Sequence, residues 1–144
     1  MISKEDNHNN SGFPRLITFS SIGDSALGFI TVGEGHKNVP FEIKRVYWTY
    51  FTPHNIQRGG HTHKQLEQMI FAVCGRIEFS IENPEGRKET FVLDSPDTGL
   101  YIPSLIWRDI KFSHNAVLLC MASDTYQEDD YIRDYDTFKR SYFK

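Results

Sequence analysis

The feature that most constrains the fold is a strict alternation of apolar and polar residues at positions 76–82. Ile77, Phe79 and Ile81 fall on one face of an extended chain, and the residues between them are charged or polar. A period of two is the signature of a β-strand with one face in the core and one in water. Asn-Pro-Glu-Gly at 83–86 then predicts a turn that folds residues 88–93 back as a hairpin partner.

Short candidate strands with turn signals between them continue along the chain. The predicted strands are 16–20, 27–32, 43–50, 68–73, 76–82, 89–93 and 116–122. Composition agrees, because 48 residues are Phe, Tyr, Trp, Ile, Val or Thr and only 15 are Ala, Leu or Met. The first group favours strands and the second favours helices. We therefore expect an all-β sandwich or barrel, with one short helix at 134–143 near the C-terminal end.

The 144 residues fit one domain, at 13–144, after a polar, Asn-rich tail at 1–12 that we expect to be disordered. A net charge of −3 gives no electrostatic footprint for nucleic acid. No apolar run approaches the ~20 residues that span a bilayer, and the N-terminus lacks the apolar region of a secretory signal. Cys74 and Cys120 lie in apolar runs and are interpreted as reduced core cysteines. These features predict a cytoplasmic protein without a nucleic-acid or membrane partner.

Two histidines form the most informative motif for function. His61 and His63 are two residues apart, so in an extended segment their side chains project to the same face and can converge. Gly59 and Gly60 precede them and suit a bend or a close backbone approach. Imidazole titrates near neutral pH, so the pair can serve either as metal ligands or as proton carriers.

Three interpretations of this pair compete. A pair without function is disfavoured, because the two histidines share one face and are flanked by Arg58 and Lys64. A metal site needs a carboxylate nearby, but the neutral Gln68 occupies one of the two expected positions. Glu67 occupies the other, and because adjacent residues of a strand face opposite sides, only one of the two can point inward. His114, the later histidine, lies in a predicted turn. We favour metal-free acid–base catalysis next to a carbonyl, with an arginine to stabilise the oxyanion.

A set of short motifs is ordered along nearly the whole chain. It comprises Phe-Glu-Ile-Lys-Arg-Val-Tyr at 41–47, Arg-Gly-Gly-His-Thr-His-Lys at 58–64 with Gln68, Asp-Ser-Pro at 94–96, Gly-Leu-Tyr-Ile-Pro at 99–103, Trp107, Phe-Ser at 112–113, Ala-Ser-Asp at 122–124 and Asp-Asp-Tyr-Ile-Arg-Asp-Tyr at 129–135. This set, spread over roughly residues 14–140, resembles the nucleotide-sugar 3,4-ketoisomerases of the cupin superfamily.

The resemblance implies a cupin-type antiparallel β-barrel or jelly roll, as a homodimer with exchanged N-terminal strands. It implies that a dTDP-4-keto-6-deoxyhexose is converted to its 3-keto isomer, for a 3-amino-deoxysugar of surface polysaccharide. The reaction is implied to need no metal and no cofactor, in agreement with Gln68 in place of a carboxylate. His61 and His63 match the catalytic pair, but which of them is the base and the configuration of the product at C4 stay open.

The substrate-binding candidates are residues suited to a diphosphate or to flat rings. Arg58 is the first candidate for the diphosphate, because its fork suits phosphate oxygens and it adjoins the histidine pair. Arg45 is a second, although it alternates with Lys44, so only one of the two faces a cavity. The remaining candidates are Tyr47, Tyr101 and Trp107, which can stack on rings, and Gln68.

Two features leave alternatives open. Many relatives have His-Glu after the tryptophan, where this chain has Arg108 and Asp109; if that position lies on the barrel rim, Arg108 contacts a phosphate or nothing. The acidic run at 128–130 is interpreted as a solvated loop or helix start, with Arg133 as its charge partner. The alternative functions are a dTDP-sugar 3,5-epimerase, a non-catalytic sugar-nucleotide-binding cupin and a metal-dependent cupin enzyme.

Overall fold

A computed structural model describes residues 12–140 of the protein. These residues form twelve strands, a short 3-10 helix at Glu128–Asp130 and one α-helix, α1, at Tyr135–Arg140. The strands are β1 (Arg15–Thr18), β2 (Ser21–Asp24), β3 (Gly28–Thr31), β4 (Arg45–Thr49), β5 (Gln57–His63), β6 (Gln68–Cys74), β7 (Ile77–Glu82), β8 (Lys88–Leu93), β9 (Thr98–Ile102), β10 (Trp107–Phe112), β11 (Val117–Ala122) and β12 (Tyr131–Ile132).

The strands assemble into two five-stranded antiparallel sheets and a separate hairpin. The first sheet has the order β1-β9-β6-β11-β4, the second has the order β12-β5-β10-β7-β8, and β2 pairs only with β3 among the described strands. The predicted all-β class with a short C-terminal helix is confirmed. The expectation of a closed barrel is wrong, because no described strand pairing joins the edges of one sheet to those of the other.

The alternating segment at 76–82 forms the strand that its pattern predicts, β7. β7 pairs with β8 from Ile77 opposite Leu93 to Glu82 opposite Lys88. The turn between them closes with a hydrogen bond from the Gly86 amide to the Asn83 carbonyl. The apolar face of β7 is buried between the sheets, where it joins the main core cluster. Period-two alternation therefore identified both the strand and the face that carries the core.

The outer face of each sheet is also partly covered. On the first sheet, Phe19, Val39 and Phe41 pack against Met69 and Phe71. On the second sheet, α1 places the buried Phe138 against Trp107 and Ile132. Burial on both faces explains why β6 is apolar at nearly every position rather than alternating.

Some local expectations are wrong. The sequence missed β2, β9, β10 and β12, and it predicted an extended segment at the histidine pair of β5 without including it among the strands. β5 carries two glycines and β10 carries a buried Arg108, so neither shows clean alternation. Cys74 is exposed at the end of β6, where the last two residues leave the core, whereas Cys120 is buried as predicted. Residues 1–11 of the predicted tail and 141–143 of the predicted helix lie outside the described part of the chain. Within residues 12–140, no helix is long and apolar enough to cross a membrane.

Candidate active site

A distortion of β5 sets the position of the two histidines. Gly59 and Gly60 have φ angles of +90° and +66°, and the pairing of β5 with β10 shifts register between Arg108 and Asp109. A Cβ atom on Gly59 would lie 2.7 Å from the Arg108 carbonyl oxygen, so only glycine fits without displacement of the strand. The predicted bend and close backbone approach at these glycines are confirmed.

The side chains of His61 and His63 converge as the sequence predicted. Their ring centroids are 4.9 Å apart and the rings meet edge to face. His61 lines a cavity of about 550 Å³ between the sheets, whereas His63 is only 1% exposed. The structure therefore distinguishes the two: His61 faces the open space and His63 lies next to it in the interior.

Three arginines give the cavity a positive wall. Arg45, Arg58 and Arg133 line it, and no Asp or Glu does so among the described residues. The floor is less polar and includes Ile110, Phe112 and Leu118. Arg45 rather than Lys44 faces this space, in agreement with the alternation of β4. The cavity therefore combines anion-binding side chains with an apolar surface.

Arg108 is a buried cation beside the histidines, and not a rim residue. It is 1% exposed; its guanidinium donates to the Gln68 side-chain oxygen and, at 3.2 Å, to the Ile106 carbonyl. The Gln68 amide nitrogen donates to the Tyr47 hydroxyl at 3.0 Å. Arg108 makes no ion pair with a carboxylate among the described residues. Of the alternatives left open for Arg108, the rim position does not apply, because this side chain of β10 points into the core between the sheets.

Burial and positive charge keep both imidazoles neutral. Loss of solvent, followed by repulsion from Arg108, lowers the pKa of His61 to about 4. The same two causes, with His61 as a third, lower the pKa of His63 to about 2. Burial also raises the pKa of Tyr47 above its usual range. At pH 7 each histidine therefore has one unprotonated nitrogen that can accept a proton.

Unpartnered polar atoms are concentrated in this region. Among the described residues, Arg45 Nε, Arg108 Nε and both ring nitrogens of His63 are buried without a hydrogen-bond partner. Buried polar atoms are normally paired, and exceptions mark functional sites or positions that a bound molecule completes. The concentration of such atoms beside the cavity identifies it as the candidate active site.

Sequence reasoning did not assign several residues that the structure brings here. The Tyr131 ring centroid lies 5.2 Å from that of His61 and 4.3 Å from that of His63. The Arg133 guanidinium lies 4.2 Å from the Tyr131 ring centroid. Arg133 also pairs with Glu128 at 3.1 Å, which confirms that predicted charge partnership. β12 pairs with the end of β5, so Tyr131 lies opposite His63; only this pairing reveals its position.

Two predicted substrate contacts lie away from the histidine pair. Tyr101 packs on the outer face of the first sheet and donates a hydrogen bond to Glu67. Trp107 packs on the outer face of the second sheet beneath α1. Adjacent residues on a strand face opposite sides, so Trp107 points outward because Arg108 points inward.

The side chains of this region that could act as metal ligands bear on the interpretation of the histidine pair as a metal site. Among residues 12–140, no group of three or more His, Cys, Asp or Glu side chains is arranged to hold a metal ion. Gln68, at the position where a carboxylate ligand would be expected, instead has its oxygen bonded to Arg108. The guanidinium cation of Arg108 therefore lies at a fixed position beside the histidines.

The fold of the described residues is that of solved 3,4-ketoisomerases, one of them a sugar 3,4-ketoisomerase. The chain belongs to the family described as "FdtA: WxcM-like, C-terminal", whose model matches residues 13–142. The resemblance stated from the sequence motifs is thereby confirmed.

Characterised relatives agree with this membership. The chain is 39% identical over 127 residues to the TDP-4-oxo-6-deoxy-alpha-D-glucose-3,4-oxoisomerase of Aneurinibacillus thermoaerophilus. The matched region covers 88% of this chain and 90% of the relative. A 3,4-ketoisomerase structure from Helicobacter canadensis superposes with a TM-score of 0.87 at 37% identity, over 92% of this chain and 99% of that one. A sugar 3,4-ketoisomerase from Thermoanaerobacterium thermosaccharolyticum, solved with TDP, gives a TM-score of 0.85 at 38% identity, over 90% and 93%.

The alternative assignment to 3,5-epimerases has weaker support. The dTDP-4-dehydrorhamnose 3,5-epimerase of Bacillus anthracis superposes with a TM-score of 0.71 at 16% identity, over 82% of this chain and 76% of that one. At that identity the likeness establishes a shared fold alone.

Proposed function

We propose that this protein is a 3,4-ketoisomerase of a dTDP-linked 4-keto-6-deoxyhexose, acting without a metal by proton transfer through an enediol. The observation that carries the proposal is the neutral histidine pair beside a buried, carboxylate-free arginine at the wall of a positive cavity. Family membership supports it, as does a relative's variant solved with TDP-4-keto-6-deoxyglucose.

The charges of the cavity suit a nucleoside diphosphate. Arg45 and Arg58 supply fork-shaped donors for phosphate oxygens, and Arg133 adds positive charge although its guanidinium is paired with Glu128. The apolar floor and the Tyr47 ring offer contacts for the sugar and its methyl group. Arg45, Arg58, Tyr47 and Gln68 are therefore proposed as residues that bind or orient the substrate.

The reaction moves one carbon-bound proton and one hydroxyl proton. The base removes the C3 proton, and the electrons form a C3–C4 double bond as the C4 carbonyl becomes an oxyanion. Protonation of O4 gives the enediol, and loss of the O3 proton with protonation of C4 then gives a C3 carbonyl and a C4 hydroxyl. Atoms and electrons balance, so the step requires no redox cofactor.

The geometry favours His61 as the group that exchanges protons with the sugar. His61 lines the cavity, and partial burial together with Arg108 keeps its ring neutral and able to accept a proton. His63 is buried beside it, so it is positioned to take part in the proton transfer without contact with solvent. Arg108 is proposed to stabilise the enediolate, because a fixed buried cation favours negative charge as it develops.

Deuterium exchange tests the assignment directly. We expect the protein in D2O to convert dTDP-4-keto-6-deoxyglucose to a 3-keto product and to place deuterium at C4, detected by NMR. His61→Asn should reduce the rate by roughly 100-fold or more, the usual contribution of a general base. His54→Asn, an exposed histidine outside the cavity, is the matched control and should leave the rate unchanged.

The same experiment separates the alternatives. A 3,5-epimerase would leave the carbonyl at C4 and invert the configuration at C3 and C5. A non-catalytic binding protein would retain the nucleotide without exchange. Loss of activity with a chelator would indicate the metal-dependent alternative, and no exchange above the His61→Asn, His63→Asn double variant would reject the assignment. The product also reveals whether C4 has the gluco or the galacto configuration.

We further propose a homodimer with exchanged N-terminal strands. The β2–β3 hairpin carries Ile22, Phe29 and Ile30, each about three-fifths exposed, and Leu27 at its turn is 91% exposed. The outward face of edge strand β4 adds Trp48, which is 61% exposed. Large apolar residues concentrated on a hairpin and a sheet edge favour burial against a second copy.

Light scattering coupled to gel filtration tests this proposal. The wild type should elute with the mass of two chains, and Phe29→Asp should shift the equilibrium toward one. Asp24→Asn, on the same hairpin, is the control. A monomeric wild type at micromolar concentration would refute the dimer.

The place of the reaction is proposed on chemical grounds. Cys74 is an exposed free thiol and Cys120 a buried one, which suits a reducing compartment such as the cytoplasm. A 3-keto sugar is the substrate form for amination at C3, so we propose that the product feeds a 3-amino-deoxysugar for surface polysaccharide, such as lipopolysaccharide.

A further inference from the structure

The Asp130 side chain is held rigidly beside the histidine pair. It lies at the end of the 3-10 helix, directly before β12. One carboxylate oxygen accepts the Gln65 amide at 2.9 Å, and the other accepts the Leu66 amide at 3.2 Å. The Lys64 amide donates to the Asp130 carbonyl oxygen at 2.9 Å. The segment that follows β5 is thus folded around this one residue, the last of the acidic run that the sequence interpreted as a solvated loop or helix start and that forms the 3-10 helix.

The same carboxylate reaches the buried histidine. Asp130 Oδ2 lies 3.4 Å from His63 Nδ1, and the Asp130 side chain is 17% exposed. Among the described residues, Asp130 is the only acidic side chain at ion-pair distance from His63. At this distance the two groups form no hydrogen bond, which is why His63 Nδ1 is one of the unpartnered buried atoms, and catalytic contacts are commonly this long before substrate binds.

The other groups that face His63 disfavour a positive charge on its ring. Desolvation acts first, and the charged or titratable neighbours from the surrounding strands are Arg108, His61, Arg45 and Arg133. The Tyr131 ring covers one side. An imidazole in such a place would hold a proton poorly without a nearby anion.

We propose that Asp130 is a positioning residue for the ketoisomerase reaction: it accepts the Nδ1 proton of His63, which leaves the lone pair on Nε2. When His63 takes up a proton at Nε2, the Asp130 carboxylate offsets the positive charge of the resulting imidazolium. The proton later leaves from Nε2, so Nδ1 and Asp130 end unchanged. The catalytic part of this inference rests on the proposed function; the tautomer part does not.

Nitrogen NMR of the ¹⁵N-histidine-labelled wild type tests the tautomer. At pH 7 the His63 signals should show Nδ1 protonated and Nε2 unprotonated. In Asp130→Asn, the amide oxygen can still accept from the Gln65 or Leu66 amide while its NH2 group faces His63. The protonated nitrogen should then change from Nδ1 to Nε2. Asp129→Asn, an exposed neighbour, is the matched control and should leave the His63 signals unchanged.

Kinetics with dTDP-4-keto-6-deoxyglucose test the catalytic part. Asp130→Asn should lower kcat by tenfold or more with KM changed by less than threefold, whereas a merely structural role would change both or lower the fraction folded. An Nε2-protonated His63 in the wild type would overturn the proposal even if the variant fails to fold. A switched tautomer with unchanged kcat would overturn the catalytic part. If the wild type shows no isomerisation, the proposed function fails, and the NMR result still decides the Asp130–His63 contact.

Discussion

Acidification from pH 8 to pH 5 should destabilise the protein through its two active-site histidines. The folded pKa is about 4 for His61 and about 2 for His63, against 6.5 for the free side chain. As the pH falls through 6.5, the unfolded chain binds two protons that the folded chain does not, and this favours unfolding. The contribution of the two neutral histidines to the free energy of unfolding is fully present above pH 6.5. It declines below that pH and is fully lost only below the folded pKa values.

The magnitude follows from the separation between pH 5 and the unfolded pKa. That separation is about 1.5 units, and each unit is worth about 1.4 kcal/mol, so each histidine contributes about 2 kcal/mol. The folded pKa values lie below pH 5 and reduce this only slightly. Together the pair should lower the free energy of unfolding by about 4 kcal/mol, a large share of the 5–15 kcal/mol typical of a domain.

Urea denaturation at pH 8, 7, 6 and 5 measures this effect. The His61→Asn, His63→Asn double variant should lose about 4 kcal/mol less than the wild type between pH 8 and pH 5. Carboxylates with lowered pKa values, such as Glu82 and Asp97, remain in both proteins and cancel in the comparison. His54→Asn serves as the control. Parallel pH profiles for the wild type and the double variant would refute the reasoning.

Three further predictions concern the backbone, the core and the buried cation. Gly59→Ala should lower the free energy of unfolding, measured by urea denaturation, by at least about 1 kcal/mol more than Gly28→Ala. Both glycines have φ near +90°, but of the two only Gly59 faces a backbone oxygen. Equal losses would contradict this reasoning. Phe79→Ala should cost about 3–5 kcal/mol, since it leaves a cavity between the sheets, and a loss below about 1 kcal/mol would show that the core collapses around it. Arg108→Met should raise the pKa of His61 toward 6.5 in an NMR titration, because it removes a positive charge that lowers it; an unchanged pKa would assign the shift to burial alone.

The parts of the fold that the sequence predicts are those set by local chain geometry. Ile77, Phe79 and Ile81 repeat every second residue, so β7 and its hairpin with β8 follow from the pattern. β10 could not be predicted in that way, because Arg108 occupies a core-facing position where the pattern requires an apolar residue. Its burial is tolerated only because Gln68 and the Ile106 carbonyl, from distant and neighbouring parts of the chain, accept its protons.

For the histidine pair too, local chain geometry sets some features and tertiary packing sets the others. The spacing of His61 and His63 places them on the same face, and the convergence of their rings follows from that shared face together with the distortion of β5 at the two preceding glycines. The sequence therefore determined the β-rich class and the family, and it predicted the histidine pair as the catalytic residues. Only the tertiary structure placed His61 at the cavity and His63 behind it, with Arg108, Tyr131 and Asp130 around them. Those contacts depend on how β5 pairs with β10 and β12, and strand register and burial are properties of the packed sheets rather than of any one segment.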